Sequence, residues 1–309
     1  MHRSEGGDLS ESLRYHNKCL ELLIPILSNL DHELTEDILA AVAILRLDEE
    51  MEVQDNCFHL QGITRILGQV SSFCSGGGLG EAVAWLCVRQ EIYVSLVHQQ
   101  PLRTQVANFE HSFSLKRNDD LSWANRIVLL LAQVLCVAFL DPTVETRARL
   151  NILGERVEDW MREKPPTFEP IKFVPKDKKS PQRFPIIWML QPFHVLGVQY
   201  YYIAKIVLAV SVGQSDTSKR YFFWQATDVG RRVRTYLLTV VGLAKSNPKA
   251  ENTLFTARHT LTVWGSVLTK KTDQQAVKAF LQDMEERTGW TNSKLIATLE
   301  EQWDASDDD

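Results

Sequence analysis

Eight histidines (2, 16, 32, 59, 98, 111, 194 and 259) and five cysteines (19, 57, 74, 87 and 136) are the side chains of this 309-residue chain best suited to hold a metal or carry a proton. A zinc site written into sequence shows as C-x-x-C pairs, and a metalloprotease helix as H-E-x-x-H; neither occurs. The cysteines are odd in number, scattered, and set mostly in apolar helical pattern, which reads as buried reduced thiols of an intracellular protein. No G-x-S-x-G nucleophile elbow is present. The glycine-rich run Gly76-Gly77-Gly78-Leu79-Gly80 follows a helix rather than a strand and lacks a Lys-Ser/Thr pair after it, so it reads as a helix-capping loop and not a phosphate cradle. The acids Asp48, Glu49, Glu50 and Glu52 read as a solvated helix end. No catalytic constellation emerges, and neither a cofactor nor a metal is expected.

Lys176, Lys178, Lys179 and Arg183 form a small basic patch that could serve as a nuclear-import signal. Arg231, Arg232 and Arg234 read as the wet face of a helix whose other faces hold Phe222, Phe223 and Trp224. With a net charge of −5 the chain as a whole is a poor match for a phosphate backbone. From Thr298 the chain carries six acids around Leu299 and Trp303. This reads as a frayed acidic and aromatic end of the kind used for transcriptional activation, with residues 304–309 as an acidic tail.

The elements that must position these groups are helices. Hydrophobic residues recur at helical spacing almost throughout, and strand alternation is nearly absent. The pattern predicts helices from Asp8 or Ser10 to Leu30 with a bend at Pro25, from Thr35 through Leu45, over 60–70, and from Glu81 to Gln99. Further helices are predicted over 121–140, 143–164, 192–212, 216–245, 252–268, 272–288 and 291–303. Seven of the eleven prolines fall between Pro165 and Pro192, which predicts an extended, non-helical connector. The expectation is therefore all-α: one large helical domain over 8–303, of about eleven helices, with the Pro-rich connector 165–192 inside it.

The segment Phe184–Val210, FPIIWMLQPFHVLGVQYYYIAKIVLAV, is apolar around most of its circumference, so protein or lipid must surround it. Gln191, Pro192, His194, Gln199 and Lys205 are too many polar and breaking residues for an uninterrupted membrane span. The 14-residue run Ile127–Leu140 is too short for one. Both segments predict core helices, with no membrane partner, and the first twenty residues show no signal-peptide pattern. Trp188, Phe193, His194, Tyr200, Tyr201 and Trp264 are the candidate lining of a pocket between helices.

Several blocks, in order, resemble the C-terminal regulatory region of fungal zinc-cluster transcription factors, the fungal-specific transcription factor domain. They are Tyr15-His16-Asn17 through Leu23; Ile38–Arg46 running into Asp48–Glu52; and His59-Leu60-Gln61-Gly62. Then come Glu81-Ala82-Val83-Ala84-Trp85 and Arg89-Gln90-Glu91-Ile92-Tyr93, followed by Pro165–Ile171, Phe184–Trp188 and His194–Tyr201. Asn252–Ala257 and Trp290–Trp303 close the series. The resemblance covers residues 10 to 303, nearly the whole chain. It implies an all-helical regulatory module of the nucleus, controlling transcription by binding a metabolite or a partner, and it offers no catalytic residues. The six-cysteine zinc cluster with which such factors read DNA has no counterpart here, so DNA contact through that cluster is not expected of these residues. The implied partners are a small apolar metabolite, transcriptional coregulators, or a second copy. A ligand-free dimerisation or coactivator scaffold is the alternative reading, and an enzyme without a recognisable signature is a third.

Overall fold

The computed structural model describes residues 9–28, 33–50, 57–177, 182–212 and 228–305. These form twelve α-helices, four short 3-10 turns and one two-stranded ribbon, so the all-α expectation holds. Two compact units emerge from the contacts. Unit 1 falls within Met1–Glu91, Arg103–Lys116 and Thr288–Trp290, and unit 2 comprises the remainder.

Unit 1 is built on α1 (Leu9–Ser28), α2 (Glu36–Glu50), α3 (Phe58–Gln69), the first part of α4 (Gly78–His98) and the single turn α5 (Phe113–Lys116). The stripe Leu39, Val42, Ala43 and Arg46 of α2 lies buried, as do Leu60, Ile63 and Leu67 of α3, and these two helices pack together. Glu49 corrects the reading of the acidic run as solvated. It is 5% exposed, and its carboxylate accepts the amides of Phe58 at 2.6 Å and His59 at 3.1 Å. It thus satisfies two orphan donors at the start of α3, where negative charge is also favoured by the helix dipole. Arg46, fully buried, donates to the same carboxylate at 3.3 Å.

Unit 2 centres on α6 (Asp120–Ala138), α7 (Val144–Glu163), α8 (Pro192–Val212), α9 (Asp228–Ser246) and α10 (Asn252–Trp264), followed by α11 (Lys271–Thr288) and α12 (Ser293–Ala305). Short polar caps start two of them: Asp119 accepts the Ser122 amide at 2.9 Å, and Thr143 forms a capping box with Thr146. Helix α8 packs against α6, α7, α9 and α10, which explains why its sequence is apolar on every side. By length and composition α6 and α8 could each cross a membrane, yet two thirds of each lies buried against protein (67%). The close approach of these helices depends on Gly197, where an added Cβ would lie 3.1 Å from the Phe168 ring and 3.6 Å from the Ala124 backbone. Inside this bundle Gln199 donates to the carbonyls of Val240 at 3.0 Å and Thr253 at 3.1 Å, tying α8 to α9 and α10.

The Pro-rich connector is extended over most of its described residues, with one 3-10 turn at Pro166–Phe168. Its described residues include an antiparallel ribbon, β1 (Lys172–Val174) with β2 (Ile186–Trp188). Side chains at the end of α9 hold it. Ser246 accepts the Ile187 amide, and Asn247 accepts from Met189 while donating to the Ile187 carbonyl at 2.7 Å. The expected helix over 216–245 is described only as α9, its first part lying outside the described residues together with Phe222, Phe223 and Trp224. The expected fraying near the C-terminus is also corrected. Helix α12 runs to Ala305, Leu299 and Trp303 are buried in unit 2, and the Trp303 indole donates to the Gly265 carbonyl at 2.9 Å. Burying an indole with its N–H satisfied outweighs the unfavourable charge at the helix end. Residues 306–309 lie outside the described residues.

Candidate functional site

A cavity of about 550 Å³ opens between α7, α8 and α9 in unit 2. Each helix lends one face to it at helical spacing. Leu150, Asn151, Gly154, Glu155 and Glu158 come from α7; Lys205, Leu208 and Ala209 from α8; Val229, Arg232 and Tyr236 from α9. The buried stripe of α7 (Leu150, Leu153, Val157, Trp160) orients that helix on the bundle, and Trp160 fixes it further by donating to the Trp123 carbonyl at 2.9 Å. Gly154 leaves room opposite Leu208, whose methyls would lie 3.8 Å from an added Cβ.

The lining is amphipathic. Leu150, Leu208, Ala209, Val229 and the Tyr236 ring supply apolar surface. Lys205 pairs with Glu158, whose second oxygen accepts the Tyr201 hydroxyl at 3.1 Å. Burial and the neighbouring Glu158 charge push the Tyr201 phenol well above its ordinary range, so at neutral pH it serves as a hydrogen-bond donor. Tyr236 is backed by Tyr202, with ring centroids 5.6 Å apart. Arg232 and Glu155 remain exposed and have no ion-pair partner among the described residues. Among the described residues the site thus offers a guanidinium and a carboxylate without an ion-pair partner and an apolar floor, a set suited to orienting a small amphipathic molecule.

The aromatic residues singled out from the sequence do not line this cavity. Tyr200 and Tyr201 are buried in the bundle, and Tyr201 reaches the cavity only through Glu158. His194 is fully buried, with Nε2 2.9 Å from Asp120 Oδ2 and its ring 4.4 Å from that of Phe168. Phe193 stands edge-on to His194 at 4.7 Å. Trp264, half-buried, ends α10. Trp188 sits on β2, 47% exposed, with the Lys172 ammonium 4.6 Å from its ring. Of the lining residues, the sequence marks Arg232 only as part of a wet helix face and Lys205 only as a polar break in an apolar segment; the signal that could have added to them is Gly154, an isolated glycine inside a helical pattern.

Of the basic patch, only Lys176 and Arg183 fall among the described residues. Lys176 bonds both oxygens of the buried Asp273 at 2.8 Å, and Arg183 is half-buried. Lys178 and Lys179 lie outside the described residues. Within the second arginine group Arg231 and Arg232 are exposed, but Arg234 is turned partly inward and donates to the Val267 carbonyl at 3.4 Å, where burial lowers its pKa.

The glycine-rich loop acts on its own chain. Gly77 and Gly78 adopt left-handed φ of 78° and 69°, which a residue without Cβ adopts freely. The Gly77 amide donates to Glu81 at 2.8 Å, and the Glu36 carboxylate lies close to Gly80. Two carboxylates at this loop oppose an incoming phosphate. No group of three or more His, Cys, Asp or Glu side chains is placed to hold a metal among the described residues.

Comparison with protein-family models, with curated proteins and with solved structures finds no match to this chain.

Proposed function

We propose that this chain is the regulatory and effector module of a fungal transcription factor, acting in the nucleus by binding rather than by catalysis. The observation that carries this reading is the amphipathic cavity between α7, α8 and α9, whose lining includes Arg232 and Glu155, exposed and without an ion-pair partner among the described residues. A ligand held there bridges three helices. Occupancy therefore favours one arrangement of the bundle over others, which is what a sensor requires. The resemblance to the fungal-specific transcription factor domain supports the same reading. Its blocks contain residues that the fold uses: His59 and Glu49 at the start of α3, Glu81 with Trp85, and His194 against Asp120.

The ligand class that fits is a small apolar carboxylate, its carboxylate on Arg232 and its hydrocarbon against Leu150, Leu208 and Tyr236. Thermal unfolding with a panel of medium-chain and aromatic monocarboxylic acids tests this. A ligand at one hundred times its Kd stabilises by about 2.7 kcal/mol, which corresponds to a Tm rise of roughly 4 °C for a chain of this size. Arg232→Ala should abolish the rise while leaving the Tm without ligand unchanged. A panel that shifts nothing, or a shift that survives both Arg232→Ala and Gly154→Leu, defeats the reading.

A further inference from the structure

Opposite charges stand at one level of the cavity between α7, α8 and α9. Helix α8 forms its floor and runs antiparallel to both walls. Against α7, Lys205 and the Tyr201 hydroxyl meet Glu158, while Leu208 lies opposite Gly154. Against α9, Gln199 reaches the Val240 carbonyl, and the Tyr202 ring lies beside that of Tyr236. At a rise of about 1.5 Å per residue, these pairings divide the lining into three levels. At one end stand Glu158, Lys205 and Tyr236, where the two charges are taken up by each other. In the middle stand Glu155 on the α7 wall and Arg232 on the α9 wall, to either side of Leu208. At the other end Leu150, Ala209 and Val229 offer apolar surface, with Asn151 beside them.

We infer that the ligand of this cavity is a zwitterion, an apolar α-amino acid, with its ammonium on Glu155 and its carboxylate on Arg232. The inference rests on the reading of the cavity as a ligand site and specifies what that site selects. Glu155 and Arg232 line the same cavity, yet neither has an ion-pair partner among the described residues. A molecule carrying both charges satisfies the two walls at once. Glu158 does not compete for the ammonium, because Lys205 and Tyr201 already occupy its oxygens. Since the two free charges share one level, the ligand must carry its own charges at one end. Its apolar side chain then runs along α8 towards Leu150, Ala209 and Val229. An ω-amino acid fails this test, because its hydrocarbon separates its charges. A monocarboxylate satisfies Arg232 alone and brings a second negative charge towards Glu155, so it binds more weakly.

Titration calorimetry of the whole chain at neutral pH with two matched pairs tests the inference: phenylalanine against 3-phenylpropanoate, and leucine against 4-methylpentanoate. Members of a pair differ only in the amino group. An ion pair at an exposed rim changes affinity by less than about fivefold; partial enclosure and a charge-assisted hydrogen bond bring the expected preference for the amino acid to about tenfold. Glu155→Gln should remove that preference in at least one pair, weakening the amino acid to the affinity of its partner acid. Glu155 is exposed, so the variant keeps the fold, and its circular dichroism should match the parent. Acids that bind through Arg232 as tightly as their amino acids overturn the inference and leave the cavity a carboxylate site. A preference that survives Glu155→Gln also overturns it, because the ammonium then lies elsewhere. If neither member of either pair binds, the inference falls together with the reading on which it rests.

Discussion

Glu81 should be the most costly polar side chain to alter in unit 1. It is 3% exposed and accepts five hydrogen bonds. One oxygen takes the Gly77 amide at 2.8 Å and the Phe113 amide at 3.0 Å. The other takes the Ser114 amide at 2.8 Å, the Ser112 hydroxyl, and the Trp85 indole at 3.4 Å. Burial alone would raise its pKa. The bonds from Ser112, Ser114 and Gly77 overcome that and bring it from 4.5 down to about 2. A depression of this size is worth about 3 kcal/mol of folding stability. Because the folded-state pKa is the lower one, that stability is present above pH 4.5 and is lost as the pH falls towards 2. Glu81→Gln keeps the shape but aims an NH₂ group at donors whichever way the amide turns, so two or more bonds are lost. The expected cost is about 3 kcal/mol at pH 7 by guanidinium unfolding followed through tryptophan fluorescence. The gap between parent and variant should close between pH 4.5 and 2, where the parent carboxylate itself becomes neutral. A variant within 0.5 kcal/mol of the parent at pH 7, or a gap that stays constant down to pH 2, would refute the reasoning.

Glu91, on the same helix α4, should behave oppositely. Burial raises its pKa despite hydrogen bonds from Thr104, so its charge costs stability at neutral pH, and Glu91→Gln should leave the pH 7 unfolding free energy unchanged or increased. Gly242→Ala should destabilise by about 2 kcal/mol or more in the same assay, because its Cβ would meet the Pro185 carbonyl oxygen at 2.6 Å, outweighing the helix-propensity gain of about 1 kcal/mol. Gly154→Ala, whose Cβ meets Leu208 at an ordinary 3.8 Å, should instead raise stability by up to about 1 kcal/mol. Thiol labelling of the native chain should modify Cys19, which is exposed, and spare Cys74 and Cys87. Burial and the Glu81 charge push the Cys74 thiol up to about 11, and burial with Glu91 raises Cys87 further. Fast labelling of either buried thiol would contradict the packing around α4.

Hydrophobic periodicity and capping chemistry determined the helices, because both act within one or two turns of chain. The bounds of α6, α7, α8 and α11 lie within two residues of those expected, and Thr143 and Asp119 mark two of the starts. The reading of α8 as a core helix also followed from composition alone, since a helix apolar all round has no face to give to water. The fate of polar groups did not follow, because it depends on partners far away in sequence. Glu49 reads as one acid among several, yet the amides of α3 meet it and make it a buried cap. Lys176 reads as free charge until Asp273, 97 residues on, takes it. Trp303 reads as an exposed tail residue until the Gly265 carbonyl receives its indole.

The cavity was equally beyond local reasoning. Its lining comes from three helices, and on each the residues follow the pattern of an ordinary helix flank. The aromatic residues singled out in the sequence line no part of this cavity, and those on α8 that are buried fill space between packed helices. Sequence thus determined which segments are helical and that α6 and α8 are core helices. The tertiary structure alone decided which buried charges are paired, where a cavity remains, and which apolar faces are left uncovered, because each of those depends on what the neighbouring helices bring.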